Sequence, residues 1–252
     1  MEETRDLWDA WSDAFQAAWN ADTDAELPPA DVHMGPGLSA EERLDLLPPL
    51  DGVDAVELGC GGGQGSVGLA RRGAASVVGV DLSTRQLEHA RHLARLYGVD
   101  GVVDFLAADV TTPPLAGDRF DLAFSSWVFQ MVADLDAAFA EARRVLRPDG
   151  ALCFAVPHPF YEAFDPAAHE LERSYFDATP ERKSIGDLDP DLTVYHHTVA
   201  EVHGALVDAG FVVERLLEPG TDDPDAYRAQ WSQRPELMAK VPPTLVVRAT
   251  PA

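Results

Sequence analysis

Apolar positions along this chain follow three successive rhythms. From Thr4 to Asn20, the aromatics Trp8, Trp11, Phe15 and Trp19 recur at intervals of three and four, the spacing of one helix face. The simplest use of such a stripe is to dock the helix on the body of the protein by its apolar side; the alternative use is to roof a ligand pocket. The stretch ELPPADVHMGPGLSAEE then breaks the periodicity with prolines and glycines. Ser39 and Glu42 have the spacing of a capping box, which opens a short helix that Pro48 ends.

From residue 54 onward, strands and helices alternate. The pattern predicts strands at 54–58, 75–80, 103–108, 120–125 and 150–156, with helices near 64–72, 83–97 and 134–146. SVVGVD and ALCFAV are apolar nearly throughout, as parallel strands covered on both faces are. RPDG, with Pro148 and Gly150, reads as the turn into the next strand. A helix near 198–209 ends at Gly210, and FVVERLLEP and PTLVVRAT read as strands separated only by the irregular stretch 219–242. A return without a crossover helix permits an antiparallel pair at the sheet edge. The expected fold is therefore α/β, with a doubly wound, mostly parallel seven-stranded sheet and an antiparallel edge strand. Residues 1–48 form a helical cap and linker, and 49–252 the main domain. Within it, 157–197 is too long and too weakly periodic for a plain connection, so it reads as a lid or substrate-binding insertion.

Charge narrows the partners. The chain has 43 acidic residues against 19 lysines and arginines, a formal net charge of −24. Such a surface repels nucleic-acid backbones and anionic lipids, so neither is an expected partner. Only Lys183 and Lys240 are lysines. A carboxylate-rich, lysine-poor surface suits molar salt, where screening shortens self-repulsion to about 3 Å. MEETRDLWDA lacks the order of a secretion signal, and no apolar run approaches the ~20 residues that cross a bilayer, so a cytoplasmic location is expected. Cys60 and Cys153 have neither metal-ligand nor disulfide-framework spacing and read as reduced thiols.

The most informative stretch is DAVELGCGGGQGSVGLARRG, residues 54–73. A strand runs into a turn of glycines and then into a helix N-terminus. Glycine at 59, 61, 62 and 63 lets a ligand approach the backbone, and the free N–H groups beyond favour a negative group. Those facts alone leave two ligands open: a phosphate-bearing nucleotide, or a nucleoside that carries an amino acid. A dinucleotide-type spacing exists at Gly63, Gly65 and Gly68, displaced from the strand end, and a phosphate-loop lysine is absent.

The pattern that abuts the strand, Glu57-x-Gly59-x-Gly61-x-Gly63, resembles the first motif of the class I S-adenosylmethionine-dependent methyltransferases. VVGVDLS, AADV, FDLAFSSWVFQMV and ARRVLRPDGAL are similar to that family's later motifs, and together they cover about residues 30–156. The resemblance implies a Rossmann-like methyltransferase fold and S-adenosyl-L-methionine as cofactor. It implies that Glu57 meets the amino group of the methionine moiety, Asp81 the ribose hydroxyls and Asp109 the adenine amino group. Gly59, Gly61, Gly63 and Ser126 would contact the cofactor as well, and Leu82 and Val110 would pack on adenine. Asp121 begins its strand, at the sheet edge opposite the crevice, and reads as structural.

Methyl transfer from a sulfonium is a displacement with a neutral leaving group, so alignment and exclusion of water are its main demands. Trp127 and Phe129, just past the fourth strand, and Tyr161 are expected to line the acceptor pocket. If the acceptor must lose a proton, His158 in PHPFY is the candidate base, with His33, His196 and His197 as lesser ones. His89 and His92 are expected on the outer surface of a helix, and no metal site is expected. A non-catalytic S-adenosylmethionine-binding protein and a nicotinamide-dependent oxidoreductase are the competing readings.

If the acidic surface is a salt adaptation, the melting temperature rises between low and molar KCl; equal stability at both would contradict it.

Overall fold

A computed structural model describes residues 2–21, 27–165, 170–227 and 234–252. Parts of the cap, of the 157–197 insertion and of the 219–242 stretch therefore lie outside the described residues, at 22–26, 166–169 and 228–233.

The chain opens with helix α1 (Glu2–Ala21) and the short α2 (Ala40–Leu46). Ser39 and Glu42 form the expected reciprocal cap of α2: the Ser39 N–H donates to Glu42 Oε2 at 2.8 Å and the Glu42 N–H to Ser39 Oγ at 3.2 Å. Strands and helices then alternate: β1 (Asp54–Leu58), α3 (Gln64–Arg71), β2 (Ser76–Asp81), α4 (Thr84–Leu96), β3 (Val103–Ala107), β4 (Phe120–Ser126), α5 (Leu135–Val145) and β5 (Leu146–Pro157). Ser83 caps α4 by accepting from the Gln86 N–H, and Asp134 caps α5 by accepting from the Ala137 N–H. The insertion contributes a small hairpin, β6 (Glu181–Lys183) and β7 (Leu192–Val194). Helix α6 (Val199–Asp208), β8 (Phe211–Leu217), the one-turn α7 (Pro235–Met238) and β9 (Thr244–Pro251) complete the chain.

Seven strands form one sheet in the order β3-β2-β1-β4-β5-β9-β8. Strands β1 to β5 are parallel to their neighbours; β9 runs antiparallel to β5, and the edge strand β8 antiparallel to β9. This is the doubly wound, mostly parallel sheet that the alternation predicts. One boundary differs. RPDG does not precede β5 but interrupts it: Phe120 pairs with Leu146 and Leu122 with Ala151, so Arg147–Gly150 bulges out of the ladder. That bulge lets Arg147 bridge Asp54 at 2.8 Å and Asp121, at the end of the sheet away from the glycine loop, which gives Asp121 its structural role.

Side chains alternate between the two faces of the sheet. Val56, Leu58, Val78 and Val80 join Phe139 and Phe154 in one core layer, while Ala55, Val77, Leu122 and Phe124 join Met34, Leu46 and Leu69 in the other. Both layers are fully buried, so the sheet is a rigid platform whose strand ends project the functional groups. Both cysteines are buried and free; burial pushes the Cys153 thiol up to about 12 and the Cys60 thiol well above its ordinary value, which leaves both as inert thiols.

Candidate active site

The loop between β1 and α3 is built around missing Cβ atoms. Gly59, Gly61 and Gly63 all have positive φ, at 77°, 49° and 83°. A Cβ at Gly59 would lie 2.2 Å from Val128 Cγ2, and one at Gly63 would lie 2.8 Å from the Ala90 Cβ. Gly65 leaves room for Glu57, whose Oε1 lies 2.1 Å from where a Cβ would stand. Glu57 is 4% exposed and accepts a hydrogen bond from the Ser66 hydroxyl. Among the described residues no cation pairs with it, and burial raises its pKa to about 8. At neutral pH the free protein thus holds a protonated carboxyl at the N-terminus of α3.

Asp81 closes β2 on the far side of the loop. Its Oδ2 accepts from the Gly61 N–H at 2.8 Å and its Oδ1 from the Ser83 N–H at 2.9 Å. The two backbone donors fix the carboxylate plane, and burial raises its pKa. Asp109 follows β3 and accepts from the Thr111 N–H at 2.8 Å through Oδ1, so it serves its own turn while facing the same cavity.

That cavity, of about 1460 Å³, opens at the carboxyl ends of the first four strands. It exceeds the ~300–1,000 Å³ of an ordinary single-ligand pocket and has room for a nucleoside and a second molecule. Glu57, Gly59, Gly61, Asp81, Leu82, Asp109, Val110 and Ser126 all reach it.

Helix α1 covers one side, and its orientation differs from the simpler expectation. Leu7, Ser12 and Gln16 face the body, while Trp8, Trp11, Phe15 and Trp19 line the cavity. The docking is polar. Gln16 accepts from Gln64 Nε2 and donates to Gln86 Oε1, both at 2.7 Å, and so stitches α1 to the starts of α3 and α4. Gly62 makes this possible, since a Cβ there would fall 2.3 Å from Gln16 Nε2. Ser83 Oγ donates to Asp9 and Arg85 pairs with Asp13, while His89 Nε2 lies 2.7 Å from Asp13, so His89 faces α1 instead of bare solvent. Gln16 and Gln86 carried no motif; the available signal was a glutamine on the buried side of an amphipathic helix. The insertion supplies Tyr161, Leu192 and Tyr195 to the wall as well.

Trp127 follows β4 directly, with the uncommon φ of 60°. A left-handed backbone at a bulky residue costs about 1–3 kcal/mol and is kept where neighbours over-determine it. Here the Trp127 N–H is tied to the Ala155 carbonyl at 2.8 Å, and the kink seats Val128 against bare Gly59. The Trp127 indole Nε1 is buried and has no hydrogen-bond partner among the described residues. Tyr161 also lines the cavity, under the Arg234 guanidinium at 5.1 Å.

Three expected residues do not line it: Gly63, which packs against Ala90 of α4, and the side chains of Phe129 and His158. Phe129 is 2% exposed and packs edge-on against Phe139 and Phe154 at 5.1 and 5.3 Å, in the core layer behind the site. His158 is buried beside β9. Its Nδ1 accepts from the Phe160 N–H at 3.1 Å and its Nε2 lies 2.8 Å from Glu218, so both ring nitrogens are occupied. Burial lowers its pKa. His196 and His197 border a separate small pocket. His33, by contrast, lines the main cavity with its Nδ1 accepting from the Gly35 N–H at 3.2 Å. Burial and the charge of Arg43 bring its pKa down to about 4, so the ring is neutral at pH 7 and carries its proton on Nε2.

Residues 56–154 match a family described as a methyltransferase domain. A malonyl-(acyl-carrier protein) O-methyltransferase of Methylovorus sp. (strain MP688) is 40% identical over 123 residues, 47% of this chain and 41% of that protein. The chain likewise spans less than half the length of other curated relatives it matches, among them ubiquinone biosynthesis O-methyltransferases of Brucella anthropi and Rhizobium etli. Among solved structures, an S-adenosylmethionine-dependent methyltransferase from Mesorhizobium loti is 29% identical, with a TM-score of 0.60, over 82% of this chain and 94% of that one. A geranyl diphosphate C-methyltransferase from Streptomyces coelicolor A3(2), solved with Mg2+, geranyl diphosphate and S-adenosyl-L-homocysteine, shares the fold at 17% identity and a TM-score of 0.65, over 96% and 98% of the two chains.

The raised pKa of Glu57 gives a signed prediction. An ammonium group bound there needs the carboxylate, so binding S-adenosylhomocysteine at pH 7 should release on the order of one proton. Calorimetric affinity should rise from pH 6 to 8, and Glu57→Gln should flatten that slope. A pH-independent affinity in the unaltered protein would contradict the pairing.

Proposed function

We propose, from the premise that this chain belongs to the class I S-adenosylmethionine-dependent methyltransferases, that it methylates an O, N or C atom of a small molecule held between α1 and the 157–197 insertion. The observation that carries the reading is the pairing of two carboxyl groups, the buried Glu57 and the half-buried Asp81, on either side of a loop stripped of Cβ atoms. Desolvated carboxyls without cationic partners are costly, and a ligand that presents an ammonium to one and a vicinal diol to the other relieves both. S-adenosylmethionine carries both groups, and when bound it supplies the electrophilic methyl.

Each side chain then has a task. Glu57 binds the amino group, and Asp81, already oriented by Gly61 and Ser83, accepts from the ribose hydroxyls. Asp109 reaches the adenine amino group with the oxygen its turn leaves free, while Leu82 and Val110 pack on the base. Gly59, Gly61 and Gly63 keep the backbone open, and Ser126 completes the wall. Trp127 and Tyr161, with the aromatic face of α1, hold the acceptor and exclude water; alignment of this kind is worth up to ~7–11 kcal/mol. An aromatic face against the sulfonium adds about 0.5–2 kcal/mol.

Proton removal has a smaller part. His158 is occupied by Phe160 and Glu218, and the free nitrogen of His33 is a donor. Neither imidazole is set to accept a proton from an acceptor in the cavity, which favours acceptors that arrive as ready nucleophiles. We read His158 as a residue that positions the chain after β5.

The nicotinamide reading is disfavoured on physical grounds. A pyrophosphate would have to sit at the N-terminus of α3, where Glu57 already lies. The displaced glycines have packing duties: Gly65 against Glu57 and Gly68 against the Asp31 backbone, 2.7 Å from where a Cβ would stand. Among the described residues no helix is long and apolar enough to cross a membrane, and the net charge of −24 opposes nucleic-acid partners. A cytoplasmic, high-salt setting accounts for that surface.

Asp81→Ala should weaken S-adenosylhomocysteine binding about 10- to 100-fold, as loss of a charged acceptor does. The unaltered protein should bind that ligand and not NAD, and should pass a labelled methyl to a small molecule in a cell extract. Unchanged affinity in the variant, or binding without any transfer, would overturn the ribose role or the catalytic reading respectively.

A further inference from the structure

The strand-end carboxyls account for the cofactor; the chemistry of the acceptor is set by the rest of the cavity wall. A cofactor pocket at the upper end of the ordinary range takes about 1,000 Å³, which leaves about 460 Å³ of the 1460 Å³ for the molecule that is methylated. Helix α1 turns Trp8, Trp11 and Phe15 to the cavity, all of them half-buried. The two indoles lie 5.0 Å apart at 31°, and the Phe15 ring stands edge-on to both, at 5.3 and 5.1 Å with interplanar angles of 85° and 69°. Rings in contact with one another make a platform, whereas a cage for an alkylammonium needs rings set apart around a common centre. The hairpin of the insertion packs on α1, with Arg182 reaching Glu3, and brings Leu192 to the same wall. A flat apolar surface of this kind takes a flat ring by stacking.

The charges on this part of the wall are engaged. Lys183 Nζ holds Glu162 at 2.7 Å, Asp134 accepts from the Ala137 N–H as the cap of α5, and the Arg234 guanidinium lies over the Tyr161 ring at 5.1 Å. Arg43 also lines the cavity, and its charge falls on His33, whose ring meets Trp19 at the far end of the stripe. A molecule on the platform therefore meets rings, which favours an uncharged one. It must also bring its own nucleophile, because neither His158 nor His33 is set to accept a proton from the cavity. A hydroxyl oxygen attacks only after losing its proton, and a carbon only as an enolate or on a strongly activated ring. Nitrogen attacks with a lone pair that it holds in the neutral form. An alkylamine is protonated at neutral pH and has no such lone pair; an aromatic amine or a pyridine-type ring nitrogen keeps it.

Resting on the methyltransferase reading for the reaction itself, we infer that the acceptor is an uncharged, planar aromatic nitrogen compound, an arylamine or an N-heterocycle, stacked on the Trp8–Trp11–Phe15 platform of α1. The nitrogen lone pair forms the N–C bond to the methyl group as the S–C bond breaks, and the electron pair of the broken bond returns to sulfur, which becomes a neutral thioether. The positive charge passes to nitrogen. An arylamine then sheds one N–H proton to water, while a pyridine-type nitrogen keeps the charge as an N-methyl cation. The indole faces hold the ring before transfer and favour the positive charge that develops on it. Helix α1 is thus the element that selects the acceptor as well as the cover of the cavity.

Two measurements on the full chain test this. In the first, methyl-labelled S-adenosylmethionine is incubated with the protein and the small-molecule fraction of a cell extract, and the labelled product is identified by mass spectrometry and by the carbon shift of its methyl group. The expected product is an N-methyl compound with the ultraviolet absorption of an aromatic ring. A labelled O-methyl, C-methyl or non-aromatic product would overturn the inference and leave the methyltransferase reading standing. In the second, calorimetry follows ring probes of similar size and different charge, with and without S-adenosylhomocysteine: quinoline, 2-naphthoate and 2-naphthylmethylammonium. Quinoline should bind the most tightly, and Trp8→Leu and Trp11→Leu, which keep an apolar side chain but remove the ring, should each weaken it about 2- to 10-fold. Tighter binding of the anion or the cation, or equal quinoline affinity in both Leu variants, would overturn the platform. Absence of any labelled product, or failure to bind S-adenosylhomocysteine, would overturn the methyltransferase reading instead, and the probe series would still decide what the platform takes. Should the Leu variants melt in the absence of ligand, the charge series on the unaltered protein decides alone.

Discussion

The site depends on space that four glycines leave empty beside one buried carboxyl group. A Cβ at Gly59 would strike Val128, one at Gly62 would strike Gln16, one at Gly63 would strike Ala90, and one at Gly65 would strike Glu57. Each missing atom admits a different neighbour: the kink after β4, helix α1, helix α4 and the acid itself. Bare backbone is thus what lets helices α1 and α4 and a strand end converge on one loop, and it leaves Glu57 desolvated with Ser66 as its hydrogen-bond partner among the described residues. The backbone N–H groups of the loop favour an anion, but the desolvated acid beside them favours a cation, and this is what sets the proposed ligand apart from a pyrophosphate-bearing nucleotide.

From that constraint the outer parts follow. Helix α1 is tied to the loop by glutamine hydrogen bonds and aspartates, not by its aromatic stripe, so the stripe is released to face the ligand space. The insertion leans on the same helix, with Arg182 reaching Glu3 at 3.2 Å. The proposed function therefore assigns the acceptor to the two segments outside the common fold and the cofactor groups to the strand ends. This division suits a displacement in which position and dryness matter more than acid–base chemistry.

Much of this was legible in the residues. Strand ends at Leu58 and Asp81 followed from apolar runs stopped by a polar or glycine residue, and the Ser39–Glu42 cap from its spacing. The antiparallel edge followed from a connection with no crossover helix. What was not legible depends on side-chain direction across long sequence distances. Periodicity locates a stripe on α1 but cannot say which neighbour it faces, because the polar side of the helix turned out to be the docking side. Phe129 and Trp127 are two residues apart beside the same strand end; only the positive φ of Trp127 sends one ring to the cavity and the other to the core. His158 was drawn to the site by its place after β5, yet Glu218, sixty residues on, takes its proton-bearing nitrogen.

A crystal structure with S-adenosylhomocysteine bound tests the central claim most directly. The account predicts the ligand amino group within hydrogen-bonding distance of the Glu57 carboxylate and both ribose hydroxyls on Asp81, with the vacated methyl position open toward Trp127 and Tyr161. A ligand seated elsewhere, or a pyrophosphate-bearing nucleotide in the glycine loop, would contradict it.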